Sequence, residues 1–267
     1  MKKSTGLYFF LSLLFVFVSC TERRQVRLLH EADSKLSQGD YTTGEELLRK
    51  VIAQAPESKT SIKALYKLGF ALESSSRDFD GALFNYSEFI RLSKDPVSNY
   101  EVQKRIANLY YENFQDSKKA ITAYRKLISL NPDSLEMDFF QFRIAESYFR
   151  LNNFDQARQE YRLLLDKFPK SQFAARTRFE IGNAYYMEGR YDVAIEALKQ
   201  VERYHPTSEY AVEAEFLTAE CYDHEDKLQS ALQEYNELQG RYPVPAVLAA
   251  QIEGVKKRMS KMSKLKQ

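Results

Sequence analysis

The chain has 267 residues, 28% of them charged and 44% hydrophobic, which is enough apolar material for a core. Nine Gly and seven Pro are too few for collagen, for a disordered chain or for an all-β fold built on many tight turns. The formal charge of +2 is supplied by Lys2 and Lys3, so the charge balance gives no reason to expect nucleic acid, and two Cys allow at most one disulfide. After the two lysines an apolar run covers 7–18, interrupted only by Ser12. A helix of that length reaches about 18 Å, against a hydrocarbon core of about 30 Å. Residues 1–19 therefore read as a secretory signal peptide rather than a membrane span.

The run ends Phe17-Val18-Ser19-Cys20, which resembles the bacterial lipobox with Phe17 in place of the usual Leu. The resemblance implies that Cys20 is acylated and becomes residue one after cleavage. One acyl chain binds a membrane marginally and two signals anchor stably, so three chains would hold the protein firmly. Thr21 follows where an Asp would imply inner-membrane retention, so the resemblance implies the outer membrane, on its periplasmic face. Residues 20–25 are polar and read as a short tether, reaching about 20 Å when extended.

Helical periodicity begins near Val26. Six prolines then recur, Pro56, Pro96, Pro132, Pro169, Pro206 and Pro243, at intervals of 40, 36, 37, 37 and 37. A period of this length predicts a solenoid. Within it a small residue marks a first helix at Gly69, Ala107, Ala145, Gly182 and Ala219. Leu72, Tyr110, Tyr148, Tyr185 and Tyr222 follow three residues later. A second small residue opens a second helix at Gly44, Ala82, Ala120, Ala157, Ala194 and Ala231. A large residue sits four further on, at Leu48, Tyr86, Tyr124, Tyr161, Leu198 and Tyr235. Small residues let two helices approach, large ones fill the space between hairpins, and Pro ends each second helix. The spacing predicts an all-α solenoid of six helical hairpins over 26–243. Repeat two carries an extra residue in Ser74-Ser75-Ser76-Arg77, and repeat three has Ser117 where the other turns have an aromatic or Leu. Over 244–267 a last helix with the stripe Leu248, Ile252, Val255, Met259 and Met262 is expected to cap the stack. From Lys256 onward it carries bases and no acid, which suits a helix C-terminus and, on a second reading, an anionic partner or lipid head groups.

Catalytic chemistry has no visible carriers. His30, His205 and His224 lack metal-ligand spacing, Cys221 falls in a first helix as a small core residue, and Asp78-Phe79-Asp80-Gly81 lacks the further ligands of a calcium loop. No phosphate loop, nucleophile elbow or zinc-helix motif occurs, so no cofactor, metal or catalytic residue is expected.

The small, aromatic and Pro positions together resemble the tetratricopeptide repeat family, with its period of 34 stretched to about 37. In that family the first helices line a partner-binding groove. The resemblance implies that Tyr66, Phe70, Asn108, Tyr111, Phe142, Phe149, Phe179, Asn183, Tyr186 and Phe216 line it here, Asn108 and Asn183 being placed to bond a peptide backbone.

A lipobox followed by such repeats resembles the BamD lipoproteins of the outer-membrane β-barrel assembly machine. Gly39-Asp40-Tyr41 with Leu47-Leu48, Glu88-Phe89-Ile90-Arg91-Leu92 before Asp95-Pro96, and Phe168-Pro169-Lys170-Ser171 carry that likeness. It implies a non-catalytic, lipid-anchored adaptor whose partners are the β-barrel assembly protein and unfolded outer-membrane proteins. The last three repeats are equally similar to CpoB, a coordinator of wall synthesis and envelope constriction, and a repeat lipoprotein of the pilotin kind, which escorts a secretin, is the third reading.

Overall fold

The computed structural model describes residues 5–131 and 133–265, with side chains described over 21–131 and 133–264. The side chains of the expected signal peptide, Cys20 and Pro132 lie outside the described residues. Every regular element is helical, and the elements fall into two compact units, Met1–Gln115 and Asp116–Gln267.

The first unit holds α1 (Thr5–Ser37), α2 (Tyr41–Gln54), α3 (Lys59–Ala71), α4 (Phe79–Leu92) and α5 (Pro96–Asn108). Here α1 pairs with α2, and α3 with α4. The second unit holds α6 (Ser117–Leu130), α7 (Met137–Arg150), α8 (Phe154–Lys167), α9 (Ala174–Met187), α10 (Tyr191–Tyr204), α11 (Glu209–His224), α12 (Leu228–Glu237) and α13 (Pro245–Leu265). In it α7 pairs with α8, α9 with α10 and α11 with α12, while α13 packs on α12. The boundary between the units falls in the turn of repeat three, directly before Asp116.

The tether expected over 20–25 is corrected by α1. Gln25 is helical and buried, donating to the Val51 carbonyl at 2.8 Å and the Ser61 hydroxyl at 3.1 Å, and Ser58 donates back to its Oε1 at 3.0 Å. A polar side chain with three internal partners can be buried without an unsatisfied group. Polarity alone made this stretch read as exposed.

Each turn within a hairpin contains one left-handed residue: Gly39, Arg77, Gln115, Asn152, Gly189 and Asp226. Outside repeat three the next residue's N–H bonds a carbonyl near the end of the first helix, as Asn153 does to Tyr148 at 3.0 Å and Arg190 to Tyr185 at 3.0 Å. That residue is also the N-cap of the second helix. Asp40, Asp78, Asp116 and Asn153 accept from the N–H of Thr43, Gly81, Lys119 and Gln156, whereas Arg190 and Lys227 make no side-chain cap. Asp78 is thus a helix cap. The extra residue of repeat two does not lengthen the loop; a π-helical turn, Leu72–Ser76, absorbs it inside the first helix. A second one, Leu109–Asn113, does the same in repeat three.

Pro56, Pro169 and Pro206 each follow the second helix by two residues. The residues before them, Ala55, Phe168 and His205, leave the helical region with φ of −157°, −130° and −142°, because the proline ring disfavours a helical residue before it. Pro96 departs from this pattern and is the first residue of α5, with Asp95 as N-cap. The core follows the repeat register. Ala82, Ala120, Ala157, Ala194 and Ala231 are fully buried, as are Leu48, Tyr86, Tyr124, Tyr161, Leu198 and Tyr235. Leu248, Ile252 and Val255 of α13 close the last hairpin against Phe216, Ala231 and Tyr235, while Met262 is exposed.

Candidate functional site

Each unit presents its own face of first-helix side chains. In the first unit Tyr66 on α3 is half-buried against Tyr86 and Phe89, with centroids at 6.3 and 5.9 Å. It opens on a cavity of about 420 Å³ between α3 and α5, lined also by Lys63, Lys67, Val97, Ser98 and Glu101. Phe70, one turn on, is 44% exposed, with the Arg105 guanidinium 4.7 Å from its ring centroid. Asn108 is half-buried at the end of α5. The rim carries both charges, with Lys67 paired to Asp33 at 2.7 Å.

In the second unit Phe149, Phe179, Asn183 and Tyr186 are half-buried on α7 and α9. Phe149 meets Phe154 edge-on at 5.2 Å, and Phe179 leans on Tyr210 at 6.0 Å. The amide of Asn183 donates to Glu180 at 3.1 Å rather than projecting free. Glu146 is buried, its oxygens held by Arg143 at 3.0 Å and Arg176 at 2.5 Å. Burial pushes the Glu180 carboxyl above the ordinary glutamate range. The Tyr186 hydroxyl lies 3.1 Å from His224 Nε2, and the imidazole stacks on Tyr191 at 4.8 Å, so His224 is engaged rather than freely solvated. Burial pushes the Tyr186 hydroxyl up to about 12.

Three expected groove residues are core instead. Tyr111 is 3% exposed, Phe142 1% and Phe216 8%. Phe142 stacks on Phe173 at 5.0 Å, and Phe216 on Tyr242 at 4.4 Å. Phe142 and Phe216 fill gaps between neighbouring hairpins, where burying a large ring is worth more than presenting it. The polar members of the face, Glu146, Arg176, Glu180 and Glu220, were not visible in the aromatic pattern. Their signal is positional: Glu146, Asn183 and Glu220 are spaced 37 residues apart, each directly after the small first-helix residue. Cys221 is fully buried and its thiol is pushed up to about 12, leaving little thiolate at neutral pH. Among the described residues no group of His, Cys, Asp or Glu is arranged to hold a metal, and no helix is long and apolar enough to cross a membrane.

Tetratricopeptide-repeat family models match residues 105–134, 142–209 and 179–244. A tetratricopeptide repeat protein from Parabacteroides merdae has a similar structure, with a TM-score of 0.56 and 20% identity, over 89% of this chain and 88% of that one. PilW, a widely conserved type IV pilus biogenesis factor, is similar at a TM-score of 0.52 and 11% identity, over 86% of this chain and 97% of that one. The photosystem I assembly protein Ycf3 of Prochlorococcus marinus (strain MIT 9211) is 30% identical over 100 residues, which are 38% of this chain and 56% of that protein. The chain thus spans about half the length of the curated relatives it matches. Repeat register, buried small and large positions and the family matches agree: this chain folds as an all-α tetratricopeptide-repeat solenoid.

Proposed function

We propose that the protein is a non-catalytic adaptor, lipid-anchored through Cys20 on the periplasmic face of the bacterial outer membrane, that serves β-barrel protein assembly in the manner of the BamD lipoproteins. The observation that carries the adaptor reading is the pair of partly exposed aromatic faces left over after the core is filled: Tyr66 and Phe70 in one unit, Phe179 and Tyr186 in the other. Rings of this kind anchor protein partners, each worth about 2 kcal/mol or more when buried at an interface. The lipobox likeness supports the anchor, and the sequence likeness to BamD supports the partners, the β-barrel assembly protein and unfolded outer-membrane proteins.

Mass spectrometry of the native N-terminus tests the anchor: an acylated Cys20 is expected, and an unmodified start at Thr21 or beyond overturns it. A pull-down from detergent-solubilised envelopes tests the partners. The Phe179→Ala/Tyr186→Ala and Tyr66→Ala/Phe70→Ala variants are compared, each checked for folding by circular dichroism. Loss of the β-barrel assembly protein with one pair supports the reading. Recovery of wall-synthesis proteins or a secretin instead moves the assignment to a CpoB-like or pilotin role.

A further inference from the structure

On the four second helices of the second unit, positions 123, 160, 197 and 234 are equivalent, spaced by the 37-residue period, and carry Ala123, Glu160, Ala197 and Glu234. In repeat four Glu160 is buried and accepts from Arg125 at 2.7 Å, from the Gln141 amide at 2.7 Å and from Gln156 at 3.2 Å. One repeat later the same positions hold Arg162 for Arg125, Arg178 for Gln141 and Ala197 for Glu160. Two cations therefore surround a methyl group where the preceding repeat has a carboxylate.

The structure shows the consequence. A cavity of about 420 Å³ opens between α8, α9 and α10, lined by Arg162, Arg178 and Ala197 together with Leu165, Ile181 and Tyr204. Arg178 Nη1 is buried with no hydrogen-bond partner, and its guanidinium lies 4.7 Å from the Tyr204 ring centroid. Arg162 donates to the Tyr185 hydroxyl at 2.7 Å, a neutral acceptor. The exposed Glu196 also lines the cavity, and among the described residues it forms no ion pair with either arginine. His205, next to Tyr204 on the same helix end, has a buried Nε2 without a partner. Burial, and then the nearby Arg178 charge, push its imidazole below the ordinary histidine range. Buried unpaired donors cost free energy that an arriving acceptor would recover, and a guanidinium pairs best with a planar carboxylate.

We propose that this cleft binds a carboxylate on an apolar arm, contributed by a partner polypeptide, at a site separate from the first-helix faces. The carboxylate takes the place that Glu160 fills in repeat four, and the apolar arm lies on Leu165, Ile181 and Tyr204. Two sources share this chemistry, an acidic side chain flanked by apolar residues and a free C-terminus.

Isothermal titration of the full chain in detergent distinguishes them. One probe pair is a peptide blocked at both ends, Leu-Phe-Glu-Leu-Phe, and its Gln counterpart. The other is an acetylated Leu-Phe-Leu-Phe peptide with a free C-terminal carboxylate, and its amide. In at least one pair the carboxylate form is expected to bind tenfold or more tighter than the neutral form, and that pair names the source. Ala197→Glu supplies the carboxylate from within and Arg178→Gln removes the orphaned donor. Each is expected to abolish the difference, while Phe179→Ala/Tyr186→Ala on the first-helix face keeps it. In NMR titrations the His205 ring is expected to become more basic when the carboxylate probe binds. Equal binding of charged and neutral probes, no binding by either, or Ala197→Glu and Arg178→Gln behaving as wild type would each overturn the proposal. Loss of the partners in the pull-down above, with this charge preference intact, would strike only the adaptor reading.

Discussion

The backbone of Gly69 lies directly against the ring of Tyr86: a Cβ at Gly69 would sit 2.7 Å from the ring edge. Tyr86 is fully buried and its hydroxyl donates to Glu73 at 2.5 Å, so the ring is held at both ends. Gly182 makes the equivalent approach to the fully buried Leu198, whose Cδ2 and Cγ would lie 2.6 Å and whose backbone N 3.3 Å from an added Cβ. Gly69→Ala and Gly182→Ala are therefore each expected to cost about 1–3 kcal/mol by overpacking. Urea denaturation measures both, and an unchanged midpoint in either variant would contradict the close approach.

Helix capping differs along the chain in a way that mutation can read. Asn153 accepts from the Gln156 N–H at 3.3 Å, while Arg190, its equivalent one repeat on, makes no side-chain cap. Asn153→Ala is expected to lose about 1 kcal/mol, and Arg190→Ala nothing from capping. The measurement is the shift in denaturation midpoint, with the slope unchanged.

Gly189 has φ of +72° with open space around its absent Cβ, so its requirement is conformational rather than steric. Gly189→Ala is expected to cost about 1–2 kcal/mol. At the equivalent position in repeat two Arg77 adopts φ of 54°, and Arg77→Gly is expected to be neutral or stabilising. Thermal melts of both variants should move in opposite directions or only the first should fall.

Acid should act differently on the two units. Glu180, Glu202, Glu213, Glu220 and Glu234 have carboxyls held above the ordinary range, in each case chiefly by burial. A carboxyl that binds its proton more readily when folded destabilises the fold while ionised, so this cost is relieved as pH falls from neutral toward the ordinary glutamate value of about 4.3. Asp40 and Asp95 lie below the ordinary range because of hydrogen bonds, first from the side chains of Thr43 and Ser98. Their contribution is complete above the unfolded aspartate value and is lost as pH falls through the depressed one. Hydrogen exchange at pH 7 and about pH 5, corrected for intrinsic rates, should show protection rising in α9–α12 and not in α2 or α5. Falling protection in α9–α12 would refute this.

The periodic prolines, the small residues and the large residues four positions on were enough to establish helix order, register and core from sequence. Each acts locally or at one fixed repeat spacing: Pro stops a helix, Ala permits a close approach, and a Tyr or Leu fills the space beside it. Contacts between neighbouring hairpins set everything else. They buried Phe142 and Phe216, which share a helical face with residues that remain half-exposed, because the neighbouring rings of Phe173 and Tyr242 close over them. They turned Gln25 from tether into core by supplying Val51, Ser58 and Ser61 as partners. The cleft at Ala197 belongs to both levels. Its missing carboxylate is written in the 37-residue spacing, but only the packing of α8, α9 and α10 leaves Arg178 Nη1 buried without an acceptor, because an Ala in a sequence does not say which charges surround it.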